Sequence, residues 1–452
     1  MSRGFESHAL RHCPNCRRRD SVTRTTPRAA PSVIARHGRL RTPGTLVGLL
    51  KLVGASLVVV LVSGLAVAGL TVQQLQSSIT SVALEGEDEA PPPAIGEAEG
   101  GFNVLIVGSD ECEAEGGCRD RQGRLNDVNI LVHVSEDHSN ATAVSFPRDL
   151  VVPIPACQRE NGEGRLPAMS AQPINVALSH GGLNCVVRTV EELTGLEIPY
   201  AAMTTFTGVV YMSTAVGGVT VCTTGPMVDR LSGINLPTAG EHTLVGHDAL
   251  AFLRSRHGVG DGSDLGRISS QQVFLSALAR KVTSEGVLDD PTTIYRLANA
   301  ATQNMTLSNS MTNVTTLVSM ASVFRNMSLD RITFVQYPST TGVGGVYAGK
   351  VAPIKSVAEE LMEKLQNDEP IIPSETGRGS VEPEPEVPSD PATPEVPVDP
   401  APPTDPATPA DPATPADPAT PTDPATPAAP EPIEGLLGQS AAQNTCAKVN
   451  RH

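Results

Sequence analysis

One apolar run constrains how the rest of this chain can fold. From Thr45 to Leu70 it reads TLVGLLKLVGASLVVVLVSGLAVAGL, 26 residues in which Lys51 is the only charge. About 20 such residues suffice to cross a bilayer as a helix, and Lys51, near the basic end, can snorkel. Up to Lys51 the chain carries eleven Lys and Arg against Glu6 and Asp20, a local +9 in a protein of formal net charge -16, so the remainder carries -25. A cleaved signal peptide has an apolar region of about 7 to 15 residues and a small-residue cleavage site. This run is longer and continues into the polar TVQQLQSS. An uncleaved single-pass anchor is expected, with the leader 1–44 in the cytoplasm, the helix over 45–70 and everything after it outside the membrane.

That orientation sorts the eight cysteines. Cys13 and Cys16 fall on the reducing side, where a lone CxxC is at most half a zinc site. Cys112, Cys118, Cys157, Cys185, Cys222 and Cys446 fall on the oxidising side, where disulfides are expected. Cys112 with Cys118 is the pair the spacing favours; the partners of the other four stay open. If Cys446 pairs with a domain cysteine, the C-terminal segment loops back.

Composition then divides the exterior. Residues 71–99 form an acidic linker, LEGEDEAPPPAIGEAEG at its end. Residues 100–366 hold the folding patterns. Residues 367–432 are proline-rich, with DPATPA-type repeats beginning at Asp405, Asp411, Asp417 and Asp423, a density that removes backbone donors and favours an extended spacer. Residues 433–452 are a tail containing Cys446. Within 100–366, FNVLIVGSD, VNILVHV and ATAVSFP read as strands, VVYMSTAVGGVTVCT as a return to strand character, and RITFVQYP as a late strand. Helical patterns cover Asn184–Gly195, with Gly195 as C-cap, Ser269–Val282, TTIYRLANAAT and IKSVAEELMEKLQ. Strands alternating with helices predict an α/β domain with a central mixed sheet covered on both faces.

The acidic balance argues against a nucleic-acid partner, which needs clustered Lys and Arg facing phosphates. Against that background four clusters stand out: GSD ending at Asp110, GRLNDVNILVHV with Arg124 and Asp127, SFPRDL with Arg148 and Asp149, and FLRSRHGVGDGSDLGRISSQQ with Arg254, Arg256, Arg267 and Gln271. Strand ends are where open α/β sheets place ligands. Arg254 and Arg256 alternate, so on extended backbone they point the same way; Arg267 and Gln271 share a helix face. Singly, each has an ordinary reading, as a turn former, a local ion pair or a solvated edge. Together, four or five arginines in an acidic exterior suggest a polyanionic ligand.

These motifs, in this order, resemble the LytR-CpsA-Psr family of cell-envelope glycopolymer transferases. The resemblance rests on the GSD strand end, NDVNILVHV followed by VSFPRDL, INVALSHGG, TVEELTG and the HDALAFLRSRHGVGDGSDLGRISSQQVFLSAL block, and covers about Gly101 to Val282. It implies transfer of a polymer, with its phosphate, from a polyprenyl pyrophosphate to a hydroxyl of peptidoglycan or a related wall acceptor, with pyrophosphatase activity as a side reaction. It also implies that Asp110 and Asp127 hold Mg2+, and that Arg148, Arg254, Arg256, Arg267 and Gln271 grip the pyrophosphate. Asp110, Asp127, Arg148 and Arg267 would be the catalytic set, with the acceptor's general base open among Asp110, Asp127 and Asp149. Apolar residues of Val186–Leu193 and Val273–Leu278 would line a groove for the lipid, or be ordinary core. The family usually has an arginine two residues before the second aspartate; here that position is Leu125, and Arg124, three before, is taken in its place as a further pyrophosphate-binding residue. A wall-binding scaffold or adhesin fits the anchor and spacer equally well but not the Arg and Asp set, and a transcriptional attenuator lacks any helix-turn-helix pattern.

Overall fold

The computed structural model describes residues 45–87, 100–111, 124–284, 286–287, 290–383 and 430–450. The leader with Cys13 and Cys16, the acidic stretch 88–99, the loop with Cys112 and Cys118, and the proline repeats lie outside the described residues. The chain divides into two units, residues 1–65 and 66–452. In the first, the described residues are helical, the start of α1 (Thr45–Ser77), which is long and apolar enough to cross a membrane. From Leu46 to Leu70 its leucines and valines, such as Leu50 and Val60, are exposed, as suits a helix solvated by lipid.

The second unit is built on a nine-stranded mixed sheet. In chain order its strands are β1 (Thr80–Val82), β2 (Phe102–Ser109), β3 (Asn126–Val134), β4 (Ala141–Phe146), β5 (Tyr200–Thr204), β6 (Met305–Ser308), β7 (Ile332–Gln336), β8 (Pro373–Glu375) and β9 (Ile433–Ser440). They lie in the order β1-β6-β5-β2-β3-β4-β7-β9-β8. At the centre, β2, β3 and β4 are antiparallel neighbours, flanked by parallel β5 and β7. Period-two alternation sends Leu105, Val107 and Leu131 into one buried layer and Val104 and Ile130 into another. Helices α2 (Ala177–Thr194) and α8 (Lys355–Gln366) supply the first layer with Val186, Val190, Leu361 and Leu365. Helix α7 (Val314–Asn326), which follows α6 (Pro291–Asn304), supplies the second with Met320 and Val323. Helices therefore cover both faces, as expected.

The run VVYMSTAVGGVTVCT is only half strand. Its first half belongs to helix α3 (Phe206–Ala215), because the Thr205 side chain caps the helix by accepting from the Gly208 amide, and only Val219–Thr223 is extended. Gly195 ends α2 at φ 70°, the left-handed C-cap expected there. The segment 433–450 is part of the fold. β9 pairs with β7 inside the central sheet, and Cys446–Ala447 joins a second sheet of four strands with Ser380–Val381, Val219–Thr223 and Gly240–Leu244. A Cys222–Cys446 disulfide ties it down, and Cys157–Cys185 ties α2 to the short strand Cys157–Gln158. The sheet thus continues beyond residue 366, and the proline repeats lie between two chain segments that both belong to the domain.

Candidate functional site

Because β2 and β3 are antiparallel, the end of one meets the start of the other. The Asp110 amide donates to the Leu125 carbonyl at 3.0 Å, and the Leu125 amide to Asp110 Oδ1 at 2.7 Å, closing this corner over a bulge at Gly108 and Ser109. Gly108 is required here, since a Cβ would stand 2.9 Å from that of Val128. The buried Asn126 side chain bonds Asn129, the Ile174 carbonyl and the Leu178 amide, fixing the strand start that presents Asp127. β4 ends at the same edge and delivers Arg148 and Asp149.

The fourth contributor is the segment from α4 (His247–Arg254) to the first turn of α5 (Asp264–Ser284). Gln336 on β7 anchors that turn by donating to the Leu265 carbonyl and Ser269. Asp264 then receives Arg256 Nη2 at 2.8 Å and Arg267 Nη2 at 2.9 Å, with Arg148 Nε at 3.8 Å. Arg148 Nη1 also meets Asp127 Oδ1 at 2.7 Å, and Arg267 Nη2 donates to the Asp127 carbonyl at 3.0 Å. Asp149 pairs with Lys350 Nζ at 2.8 Å. Asp127, Arg148, Arg256 and Arg267 are thus one connected group, with Asp264 at its centre.

Burial works against the charge of Arg148, but Asp127, Asp264 and Asp149 outweigh it and hold the guanidinium above its ordinary value. For Arg267 burial prevails: Asp264 opposes it, Arg256 and Arg148 add to it, and the guanidinium is pushed below its ordinary value. Three atoms of this group, Arg148 Nε, Arg267 Nε and Asp264 Oδ2, are buried without a hydrogen-bond partner. Unmet guanidinium donors on two arginines that share Asp264 are what an incoming anion with several oxygens would satisfy.

The other predicted residues are placed differently. Arg254 is the last residue of α4, not part of an extended segment, so it does not share a direction with Arg256; its guanidinium stacks over Phe206 at 4.3 Å from the ring centroid. Gln271 is buried and donates to the Leu253 carbonyl at 2.9 Å, which secures the end of α4. Arg124 pairs with Glu160. Among the described residues no group of three or more His, Cys, Asp and Glu could hold a metal. The oxygen donors of Asp110 and Asp127 nonetheless suit a hard cation that takes one or two carboxylates plus substrate phosphates. Val186, Val190, Val273 and Phe274 are packed core; among the described residues, one opening with apolar lining is a cleft of about 410 Å³ lined by Val151, Pro153, Leu193, Tyr337, Tyr347 and Met362. Two residues escaped the sequence reading. Asp264 had a usable signal, its i,i+3 spacing to Arg267; Lys350 had none, since pairing of Leu150 with Val351 brings it in from 201 residues away.

A profile of the LytR_cpsA_psr family matches residues 69–367. The chain belongs to this family. Among LytR_cpsA_psr relatives, the cell wall biosynthesis protein LcpA of Corynebacterium glutamicum is 30% identical over 302 residues, 60% of this chain and 57% of LcpA. The chain thus spans little more than half that relative's length. The polyisoprenyl-teichoic acid–peptidoglycan teichoic acid transferase TagT of Bacillus subtilis is 28% identical over 275 residues, 59% of this chain and 76% of TagT. A solved LytR-Csp2A-Psr enzyme from Actinomyces oris aligns with TM-score 0.45 and 21% identity, over 61% of this chain and 96% of that one.

Proposed function

We propose that the protein transfers a glycopolymer, with its phosphate, from a polyprenyl-pyrophosphate carrier to a hydroxyl of peptidoglycan or a related wall acceptor. The observation that carries this reading is the group of Arg148, Arg256 and Arg267 around Asp264, with buried Nε donors left unmet. A pyrophosphate offers enough oxygens to take them all. The naming of TagT as a teichoic acid transferase acting on a polyisoprenyl-linked substrate supports the substrate class.

In the reaction the acceptor oxygen forms a bond to the phosphorus that carries the polymer, and the bond from that phosphorus to the bridging oxygen breaks. Polyprenyl phosphate leaves with the bridging oxygen and the electron pair. Arg148 and Arg267 would stabilise the charge that grows there, with Arg256 beside them; this is phosphoryl transfer by positioning and electrostatics. The hydroxyl proton passes to a carboxylate among Asp110, Asp127 and Asp149. Asp110 and Asp127 would hold Mg2+, which offsets pyrophosphate charge when bound. Arg254, over Phe206, would meet the substrate from the rim. The cleft at Val151, Tyr337 and Met362 continues the chain segments that carry Asp149 and Lys350, and would take the first isoprene units at about 0.8 kcal/mol per buried CH2. Water entering in place of the acceptor would give a pyrophosphatase side reaction. The anchor helix and the two disulfides support a membrane-attached protein with its domain in the oxidising exterior and its N-terminus in the cytoplasm.

The test is release of polyprenyl phosphate from a lipid-linked glycan by the purified protein with Mg2+. Turnover that disappears in Arg267→Ala and Asp127→Ala is the expected result. No turnover with any lipid pyrophosphate, together with unchanged lipid binding in both variants, would instead leave a wall-binding scaffold.

A further inference from the structure

Asp229 ends the short strand Met227–Asp229, which pairs with Ile234–Leu236 in a hairpin outside the arginine group. It is 3% exposed, and its two oxygens do different work. Oδ1 accepts from the amides of Leu231 and Ser232, which closes its own hairpin turn. Oδ2 reaches across the chain and accepts three bonds from consecutive residues: Ser255 Oγ at 2.9 Å, the Arg256 amide at 3.0 Å and the His257 amide at 3.1 Å. Burial pushes this carboxyl up, but the Ser255 hydroxyl and the surrounding amides more than reverse it, so it is held below the ordinary carboxylate range. It is a buried anion held by neutral donors. A turn alone would be served by Oδ1, and burying a charge is costly.

The same segment is gripped from its other end. The Gly260 amide donates to the Lys448 carbonyl at 2.7 Å, and the Asn450 amide to the Gly258 carbonyl at 3.1 Å. At Gly258 a Cβ would come within 2.9 Å of Ser255 Oγ and 3.3 Å of Asp229 Cβ, so the backbone is pressed onto the carboxylate. Of the two fastenings, the one at Asp229 holds the backbone of Arg256 itself, whose guanidinium stands on Asp264.

We infer that Asp229 is a positioning residue for Arg256: through Oδ2 it fixes the backbone of Ser255–His257, and thereby where the Arg256 guanidinium stands. This rests on the reading above that the arginine group receives a pyrophosphate. Asp229→Asn keeps the size of the side chain but replaces charge-assisted bonds by neutral ones, or turns an NH2 toward three donors. Ser255→Ala removes one of the three bonds and leaves the hairpin turn intact.

The experiment uses the purified full chain in detergent, with farnesyl pyrophosphate and Mg2+ as the probe, and reads affinity alongside backbone hydrogen exchange. For Asp229→Asn, faster exchange at Arg256 and His257 and an affinity loss of about tenfold or more are expected. Ser255→Ala should move both in the same direction by less. In an Arg256→Ala background, Asp229→Asn should add little, because a residue that acts through another is not additive with it. Unchanged exchange at 255–257 in folded Asp229→Asn overturns the inference, and so does full additivity with Arg256→Ala. Should Asp229→Asn fail to fold, Ser255→Ala with normal exchange and affinity overturns it alone. If the wild type itself does not bind the probe, the pyrophosphate reading falls and, with it, the inferred purpose of the positioning, whereas the exchange data still judge the fastening.

Discussion

Asp264 faces three guanidiniums and satisfies none of them fully. Arg256 and Arg267 hold one of its oxygens, Arg148 stands at 3.8 Å, and its other oxygen is buried without a partner. Removing one member of a buried charge group costs about 3 to 5 kcal/mol, because the remaining charges lose their compensation. Asp264→Asn is therefore expected to lower polyprenyl phosphate release by about 100-fold, equivalent to about 2.7 kcal/mol in the barrier, and to lower thermal stability as well. Turnover kinetics and a melting curve check both halves. A second residue lies away from the site. His133 is buried on β3, bonded through Nδ1 to Asn103 and with Nε2 3.1 Å from Asp368 Oδ1. Burial pushes its imidazole below 6.5, and Asp368 opposes this only in part. A group that binds its proton more weakly when folded gives stability that is complete above the unfolded value and is lost as pH falls through the folded one. The unfolding free energy from urea titrations should accordingly drop as pH is lowered below about 6.5, by up to about 1.4 kcal/mol per pH unit from this group. His133→Gln should flatten that slope.

At the scale of elements, the Cys222–Cys446 disulfide joins Val219–Thr223 to the strand whose continuation grips Gly258 and Gly260. Cys446→Ser is expected to cost about 2 to 4 kcal/mol of unfolding free energy, read as a lower denaturant midpoint. What could be read from sequence divides along the same lines. The apolar alternation of β2 to β4, the Gly195 cap and the helices α2, α5 and α8 were legible because each is a local pattern. α3 was not, because its β-branched run carries no helical period and its cap and packing decide it. β9 was hidden because its partner, β7, is about a hundred residues earlier. The site divides likewise: strand-end Asp and Arg residues announced themselves, while the real positions of Arg254 and Gln271 depend on where α4 stops, which spacing does not encode.

At the scale of the whole molecule, the second unit is completed by residues on both sides, in sequence, of the proline-rich stretch. Residues before it, Pro373–Glu375 and Ser380–Val381, and residues after it, Ile433–Ser440 and Cys446–Ala447, pair directly with one another in two sheets. The segments on either side of the repeats therefore belong to neighbouring strands of the same sheets. A spacer at a free terminus could be cut anywhere without consequence for the core. Here a cut before Ile433 that removes everything following it would strip β9 from the central sheet and the grip on Gly258 and Gly260 from the Arg256 segment. Excision of 384–429 with a short Gly/Ser linker keeps both. The excised protein is expected to melt within a few degrees of the intact one and, on the proposed function, to release polyprenyl phosphate as the intact one does, whereas a chain ending at residue 383 should lose most of its stability and all turnover. Melting curves and the release assay on the two variants separate a domain that owns its C-terminal strands from one that merely carries them.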